Sequence, residues 1–430
     1  MKRTTDPEPT DQQWNFVVNL VERAFVTLGM SMVSVTTLLP LLLMELTSSK
    51  VVIGLAPAIF MVGTMVPQLF TANYTESLPY KRPFVSRFAL LGGRLPYLLI
   101  AGVVWVGAVD YPGATLALIY LLFAIAGFSN GIVIPAWLDL IAKVIPLRLR
   151  GLFFGIGNGL GALLGVAGGL LAGHILSTLA FPANFALCFL LAFVALTISW
   201  VGVSLTREPR SSNPKAATRL GNYLRHMPAL LKHNPNYVRY LVSQGMATLA
   251  GTGTGFLILY AQETYGLLGS QVGALTALLV GTQAVANLIW GMVGDRVGHK
   301  TVLSCGALCI ACAITLTWVG GAYRWIWPAF LLLGAGAAAN SVSAMSIVLE
   351  FGRPEERPTY IGLTNTLLAP TTLLAPIIGG GLIDSLGYIP TFMVAAGCTG
   401  LGGLLLALWF REPRQLAGAL ARQGSSSEIV

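Results

Sequence analysis

Polar and apolar positions along this chain are segregated into long blocks. Twelve runs of about 20 mostly apolar residues, the length at which a helix crosses a bilayer, lie near 24–46, 51–72, 84–107, 113–138, 151–175, 183–205, 237–260, 271–291, 301–320, 325–348, 360–383 and 389–410. The short connections carry turn residues, as in Asp110-Tyr111-Pro112-Gly113 and Gly387-Tyr388. The pattern predicts an all-α integral membrane protein with twelve transmembrane helices.

Composition agrees. Of 430 residues, 55% are hydrophobic and 10% charged, against about a quarter charged in a soluble domain, and the mean hydropathy is +0.74. The 49 glycines sit in apolar surroundings and suit close helix packing. A soluble enzyme, a disulfide scaffold and a disordered regulator fit poorly. The five cysteines, Cys188, Cys305, Cys309, Cys312 and Cys398, lie in apolar stretches without disulfide spacing. Cys305, Cys309 and Cys312, spaced by four and three, share one face of the ninth span and read as packing, because no His or carboxylate joins them. Residues 1–13 are polar, so no cleavable signal peptide is expected.

The net charge of +9 changes meaning once it is mapped. With both termini inside, 23 of the 26 Lys and Arg residues fall on the cytoplasmic side; Lys50 and Arg324 fall outside and Arg94 within a span. That bias sets orientation and removes a nucleic-acid reading. The expected location is the plasma (inner) membrane, multi-pass.

The chain also repeats itself. Glu45 matches Glu263 and Gly54 matches Gly273. Ala72, Glu76, Pro79 and Lys81 match Gly291, Asp295, Gly298 and Lys300, while Arg150, Gly155 and Asn158 match Arg357, Gly362 and Asn365. Arg207-Glu208-Pro209-Arg210 recurs as Arg411-Glu412-Pro413-Arg414. This predicts a cytoplasmic N-terminal segment (1–23), a six-helix bundle (24–205), a cytoplasmic linker (206–236), a second six-helix bundle (237–410) and a cytoplasmic tail (411–430). Parallel six-helix repeats are a transporter architecture.

The loop Gly291-Met292-Val293-Gly294-Asp295-Arg296-Val297-Gly298-His299-Lys300 closely resembles the G-x-x-x-D-R-x-G-x-K signature of the major facilitator superfamily, and the resemblance covers essentially the whole chain. It implies two six-helix bundles related by pseudo-two-fold symmetry. It also implies a cytoplasmic gate built from Gly291, Asp295, Arg296, Gly298 and Lys300, with Arg150 as partner and Glu76, Lys81 and Arg357 as the first-half counterpart. On this reading Gly291 permits helix approach, Gly298 a tight turn, and Asp295 caps the fifth span. The first-half copy departs from the signature at Ala72, Glu76, Ser77 and Pro79. Ala375-Pro376-Ile377-Ile378-Gly379-Gly380 resembles a G-P-x-x-G-G motif of superfamily exporters, though in the eleventh rather than the fifth span. In the fifth span Gly157, Gly161, Gly165, Gly169 and Gly173 step by four, a small-residue ridge along one face.

Ionisable residues within a span are costly and demand a reason. Arg94 lies near mid-bilayer in the third span, either to hold a substrate group or to cap carbonyls. Glu22 is the proton-coupling candidate. If its helix starts near Trp14 the carboxyl is inside the cytoplasmic half; if it starts with the apolar run, which the sequence favours, Glu22 is a first-turn acid suited to the helix dipole. Neutral amides at matching depths, Asn130 and Asn340, Asn158 and Asn365, with Gln244, Gln283 and Asn287, are substrate-binding candidates on cavity-lining spans, or interhelical hydrogen bonds.

These readings predict a secondary active transporter, not an enzyme, that moves a small lipophilic or mildly polar molecule by alternating access. The resemblance implies proton coupling, and the motifs favour export. An uncoupled facilitator, an importer of a small polar solute and a non-transporting sensor are the alternatives. The expected partners are the small-molecule substrate, protons and membrane lipids; no cofactor, no metal and no nucleic acid is expected, and the chain is expected to be a monomer.

Overall fold

A computed structural model describes residues 9–76, 78–209, 231–232, 234–351 and 357–413. Ser77, most of the linker 206–236 and most of the tail 411–430 lie outside the described residues, as do the side chains of Glu76 and Arg357. Among the described residues there is helix and no strand. Ten of the described helices are long and apolar enough to cross a membrane, and the first and seventh spans are interrupted helices.

Two compact units form, one within Met1–Thr218 with Gln262–Gly281, the other within Arg219–Ala261 with Thr282–Val430. The first holds α1 (Pro9–Met32), α2 (Leu38–Leu46), α3 (Lys50–Glu76), α4 (Arg82–Leu91), α5 (Leu95–Gly107), α6 (Pro112–Val144), α7 (Leu147–Thr178) and α8 (Ala183–Ser204). The second holds α9 (Pro235–Thr248), α10 (Gly251–Thr254), most of α11 (Leu257–Tyr265) by sequence order, the latter part of α12 (Gly269–Val297), then α13 (His299–Val319), α14 (Ile326–Val348), α15 (Arg357–Leu386) and α16 (Tyr388–Leu408).

The breaks have local causes. Between α1 and α2 the Ser34–Thr37 run competes with helix for its own backbone: Ser34 O accepts from Thr37 N and Leu39 N, and Ser34 Oγ bonds Thr36 Oγ1 at 3.1 Å. Pro40 then removes a donor from the next turn. Gly92 and Gly93 precede the α4–α5 break, with Arg94 as the residue before α5 and Pro96 in its first turn. The seventh span breaks at the Gly251–Gly255 glycine-threonine run.

α1 begins at Pro9, which corrects the expected start near residue 24. Asn15 and Asn19 look like solvent-facing residues but are fully buried. Asn15 clasps the end of α8, giving its Nδ2 to Arg207 O at 2.9 Å and taking Arg207 N at 2.8 Å. Asn19 donates to Thr206 Oγ1 at 3.1 Å. The second unit repeats the clasp, with Asn236 and Arg411 exchanging the same two bonds at 2.8 and 3.0 Å.

Within the first unit the glycine ridge of α7 runs along α1 and then along the start of α12. Gly157 meets Arg23, Gly161 meets Thr27, and Gly173 lies so close to Gly273 that a Cβ on Gly173 would stand 2.5 Å from Gly273 Cα. No other residue type allows that backbone approach. Thr37 and Thr276 hydroxyls bond at 2.7 Å nearby, and Lys50 pairs with Glu263.

Candidate functional site

Placing α1 from Pro9 onward puts Glu22 in the helix interior, so the first-turn reading is overturned. Glu22 is 7% exposed. It lines a cavity of about 300 Å³ inside the first unit, with Arg23, Arg94, Asn130 and Trp137 on the same wall system and Val26, Met30, Phe60, Val133 and Ile134 among its apolar lining. α1, the α4–α5 break, α6 and α8 all contribute side chains to it.

Arg94 is anchored as well as cavity-lining. Its Nε donates to Leu196 O at 3.2 Å and its two terminal nitrogens to Ala89 O at 3.3 Å and Ser199 Oγ at 3.2 Å. Ala89 belongs to the last turn of α4, where unpaired carbonyls present partial negative charge. The cation therefore serves one carbonyl at the break and one inside α8 while standing beside the cavity.

Arg23 is the residue that sequence reasoning missed, having been counted among the cytoplasmic charges. It donates to Asn158 Oδ1 at 2.6 Å, which ties Asn158 to the cavity rim. Its guanidinium carbon lies 5.6 Å from the Trp137 ring centre and 5.0 Å from that of Phe154, the geometry of cation–π attraction. Glu22 lies within interaction range of Arg94, Arg23 and Trp137. Glu22 Oε2 and Arg23 Nε are nonetheless buried without a hydrogen-bond partner.

In the second unit Gln244 Nε2 donates to Asn340 Oδ1 at 3.0 Å, and both line a pocket of only about 40 Å³. Gln283, Asn287 and Asn365 line neither cavity; Asn287 Oδ1 is buried without a partner.

The loop motifs take this shape. Gly298 has φ +112° and initiates α13, a conformation suited to glycine. Asp295 and Arg296 are exposed in the last turn of α12, and a methyl group at Gly291 would meet nothing within 4 Å. Arg150 donates to Ile145 O at 3.1 Å and to Ala142 O, closing the end of α6 in its own unit. Lys81 is buried and pairs with Asp139. The repeated Arg-Glu-Pro ends carry the other missed residues. Glu208 accepts from Arg82 N at 2.7 Å and from Lys143 Nζ at 2.9 Å. Glu412 accepts from His299 N at 3.2 Å and Lys300 N at 2.9 Å. Each is thus a carboxylate at the start of a span, favoured there by the helix dipole. The signal was present as the repeat itself.

The Major Facilitator Superfamily family model matches residues 24–267 and 240–427. Multidrug resistance protein MdtG of Enterobacter lignolyticus (strain SCF1) is 30% identical over 168 residues, 37% of this chain and 39% of that protein. MdtG of Dickeya zeae (strain Ech586) is 28% identical over 164 residues, 36% and 39% of the two chains. The match therefore spans about two fifths of these relatives' length. Among solved structures, a D-xylose–proton symporter aligns with TM-score 0.72 at 13% identity, over 93% of this chain and 98% of that one. The nucleoside transporter NupG aligns with TM-score 0.72 at 10% identity, over 92% and 100%. Both likenesses are of fold. Matched by that family model over both halves, the chain belongs to the Major Facilitator Superfamily and is a multi-pass membrane protein.

Proposed function

We propose that this transporter exports a small lipophilic or mildly polar molecule across the plasma membrane by alternating access, in exchange for protons, with Glu22 as the proton carrier. The observation that carries the reading is the Glu22 carboxyl, buried mid-helix in a mostly apolar cavity with one oxygen unpartnered. A buried carboxylate is costly unless paired or neutralised, so it has two tolerable states: ionised against Arg23 and Arg94, or protonated. A substrate that engages the ionised form competes with the proton, and that competition is what exchange requires. The partial likeness to proteins named for multidrug resistance supports export.

Arg94, Asn130 and Asn158 are the substrate-side candidates around Glu22, with Gln244, Asn340, Gln283, Asn287 and Asn365 as those of the second half. The loops bearing Glu76 and Lys81, and Gly291, Asp295, Arg296, Gly298 and Lys300, with Arg150 and Arg357, serve as the cytoplasmic gate. The deciding experiment is flux in proteoliposomes under an imposed pH gradient. Gradient-driven accumulation that disappears in Glu22→Gln supports the reading; accumulation unchanged in that variant overturns Glu22 as carrier, and flux indifferent to the gradient overturns coupling.

A further inference from the structure

A second cavity of the first unit, about 460 Å³, lies where the start of α1, the start of α4 and the chain just past α8 meet. Asp11, Tyr80, Arg82, Arg207 and Glu208 line it, and it shares no lining residue with the cavity around Glu22. The Asn15–Arg207 clasp brings these groups together by fixing the chain after α8 against the early part of α1.

Its charges do not cancel. Glu208 is committed to the backbone nitrogens of Lys81 and Arg82 and to the Lys143 ammonium. Arg82 gives one terminal nitrogen to Thr206 O at 3.1 Å, and Arg207 gives one to Asp11 Oδ1 at 2.6 Å. Among the described residues, the other side-chain nitrogens of both arginines, the second Asp11 oxygen and the Tyr80 hydroxyl make no hydrogen bond. They stand on accessible side chains: Arg207 is 55% exposed, Asp11 33% and Tyr80 46%. Two guanidiniums thus face one uncommitted carboxylate, an excess of one positive charge.

The surroundings are those of a bilayer surface. The Arg207 guanidinium lies over Trp14, 5.1 Å from the ring centre, and Trp14 Nε1 donates to Leu205 O at 2.9 Å. Trp14, Val17 and Leu205 are exposed apolar side chains next to these charges. In a membrane-spanning chain that change from charged to exposed apolar residues falls at the headgroup level, where tryptophan is favoured. A guanidinium fork matches phosphate oxygens. A monoanionic phosphodiester balances the excess charge, and a hydroxyl on its headgroup can donate to Asp11. An ethanolamine headgroup, being zwitterionic, leaves the excess unbalanced, and a choline headgroup also has no donor for Asp11. Free phosphate leaves the apolar flank uncovered.

We propose that this cavity binds the headgroup of a phosphatidylglycerol-type lipid. Arg82 and Arg207 hold its phosphate, Asp11 accepts from a glycerol hydroxyl, and the acyl chains run along Trp14, Val17 and Leu205.

The test is native mass spectrometry of the purified full-length protein in non-ionic detergent, titrated with palmitoyl-oleoyl phosphatidylglycerol, phosphatidylethanolamine and phosphatidylcholine. The first phosphatidylglycerol is expected to bind at least ~10-fold tighter than phosphatidylcholine, the scale of one hydrogen bond to a charged group. Arg82→Gln and Arg207→Gln are each expected to cut that preference by ~10-fold. Arg239→Gln is expected to leave it unchanged. Arg239 likewise lies over a tryptophan, Trp409, at 5.8 Å, yet lines neither this cavity, nor the one around Glu22, nor the Gln244 pocket. An equal loss in Arg239→Gln overturns the site, since it would mean general attraction of anionic lipid to a basic surface. Equal binding of phosphatidylglycerol and phosphatidylcholine, a preference for phosphatidylethanolamine, or displacement of the lipid by inorganic phosphate alone also overturns it. The order of lipids in the wild-type protein stands even if a variant fails to fold.

Discussion

The carboxylate of Glu208 takes both of its oxygens to the backbone nitrogen of Lys81, 127 residues earlier in the chain, at 2.9 and 2.7 Å. The same carboxylate accepts from Arg82 N and Lys143 Nζ, and its side chain is 2% exposed. Glu412, its repeat, receives backbone donors from His299 and Lys300, and among the described residues it has no counterpart of the Lys143–Glu208 ion pair. Replacing Glu208 by Gln therefore removes more than the same change at Glu412. Thermal unfolding in detergent should show Glu208→Gln destabilised by about 1–3 kcal/mol and Glu412→Gln by less; the reverse order would contradict the asymmetry.

Glu22→Gln fixes the cavity's carboxyl in an uncharged form. Uphill transport should be lost while exchange of labelled for unlabelled substrate persists, measured in the same vesicles.

The pH dependence of binding has a definite sign. The ionisable groups around Glu22 are Arg23 on its own helix, Arg94 at the α4–α5 break and Tyr97 on α5. Only the Glu22 carboxyl among them gains a proton as pH falls from neutral. Because proton and substrate compete for it, affinity should fall on acidification in the wild type, and Glu22→Gln should be flat with pH. Affinity rising with acid would mean that proton and substrate bind together, as in a symporter.

Arg94→Lys offers one ammonium where a planar fork now serves Leu196 O, Ala89 O and Ser199 Oγ. The melting temperature should drop, with about 1–3 kcal/mol lost as at least one buried carbonyl goes unpaired. A variant as stable as wild type would show that the anchoring is incidental.

Gly173→Ala drives a methyl group against the Gly273 backbone, whereas Gly159→Ala enters open space. The first should lower both melting temperature and flux, by an overpacking cost of about 1–3 kcal/mol. The second should change neither.

The spans, their repeat and the loop turns were legible because lipid imposes a one-dimensional rule: apolar blocks of a set length. The start of α1 was not. Asn15 and Asn19 interrupt the apolar block, and their burial depends on Thr206 and Arg207, nearly two hundred residues away. With that start misplaced, Glu22 read as a helix-end acid and Arg23 as one more topology charge. Arg94 was legible as a buried cation, and Gly92, Gly93 and Pro96 signalled the break beside it. Its three acceptors were not, since two are backbone carbonyls with no signature in sequence. The Arg-Glu-Pro repeat was visible as a pattern. Its purpose, carrying Glu208 to Lys81, became visible only with the chain folded.

The two repeats have kept unequal chemical inventories. The first has a carboxylate and two guanidiniums around some 300 Å³ of space; the pocket around the second's Gln244–Asn340 amide pair holds about 40 Å³. A duplicated gene starts with two equivalent copies, and here, of these two cavities, only the first is lined by charged side chains. Selection for a new cargo then has a short list of places to act: the walls near Glu22, Arg23 and Trp137.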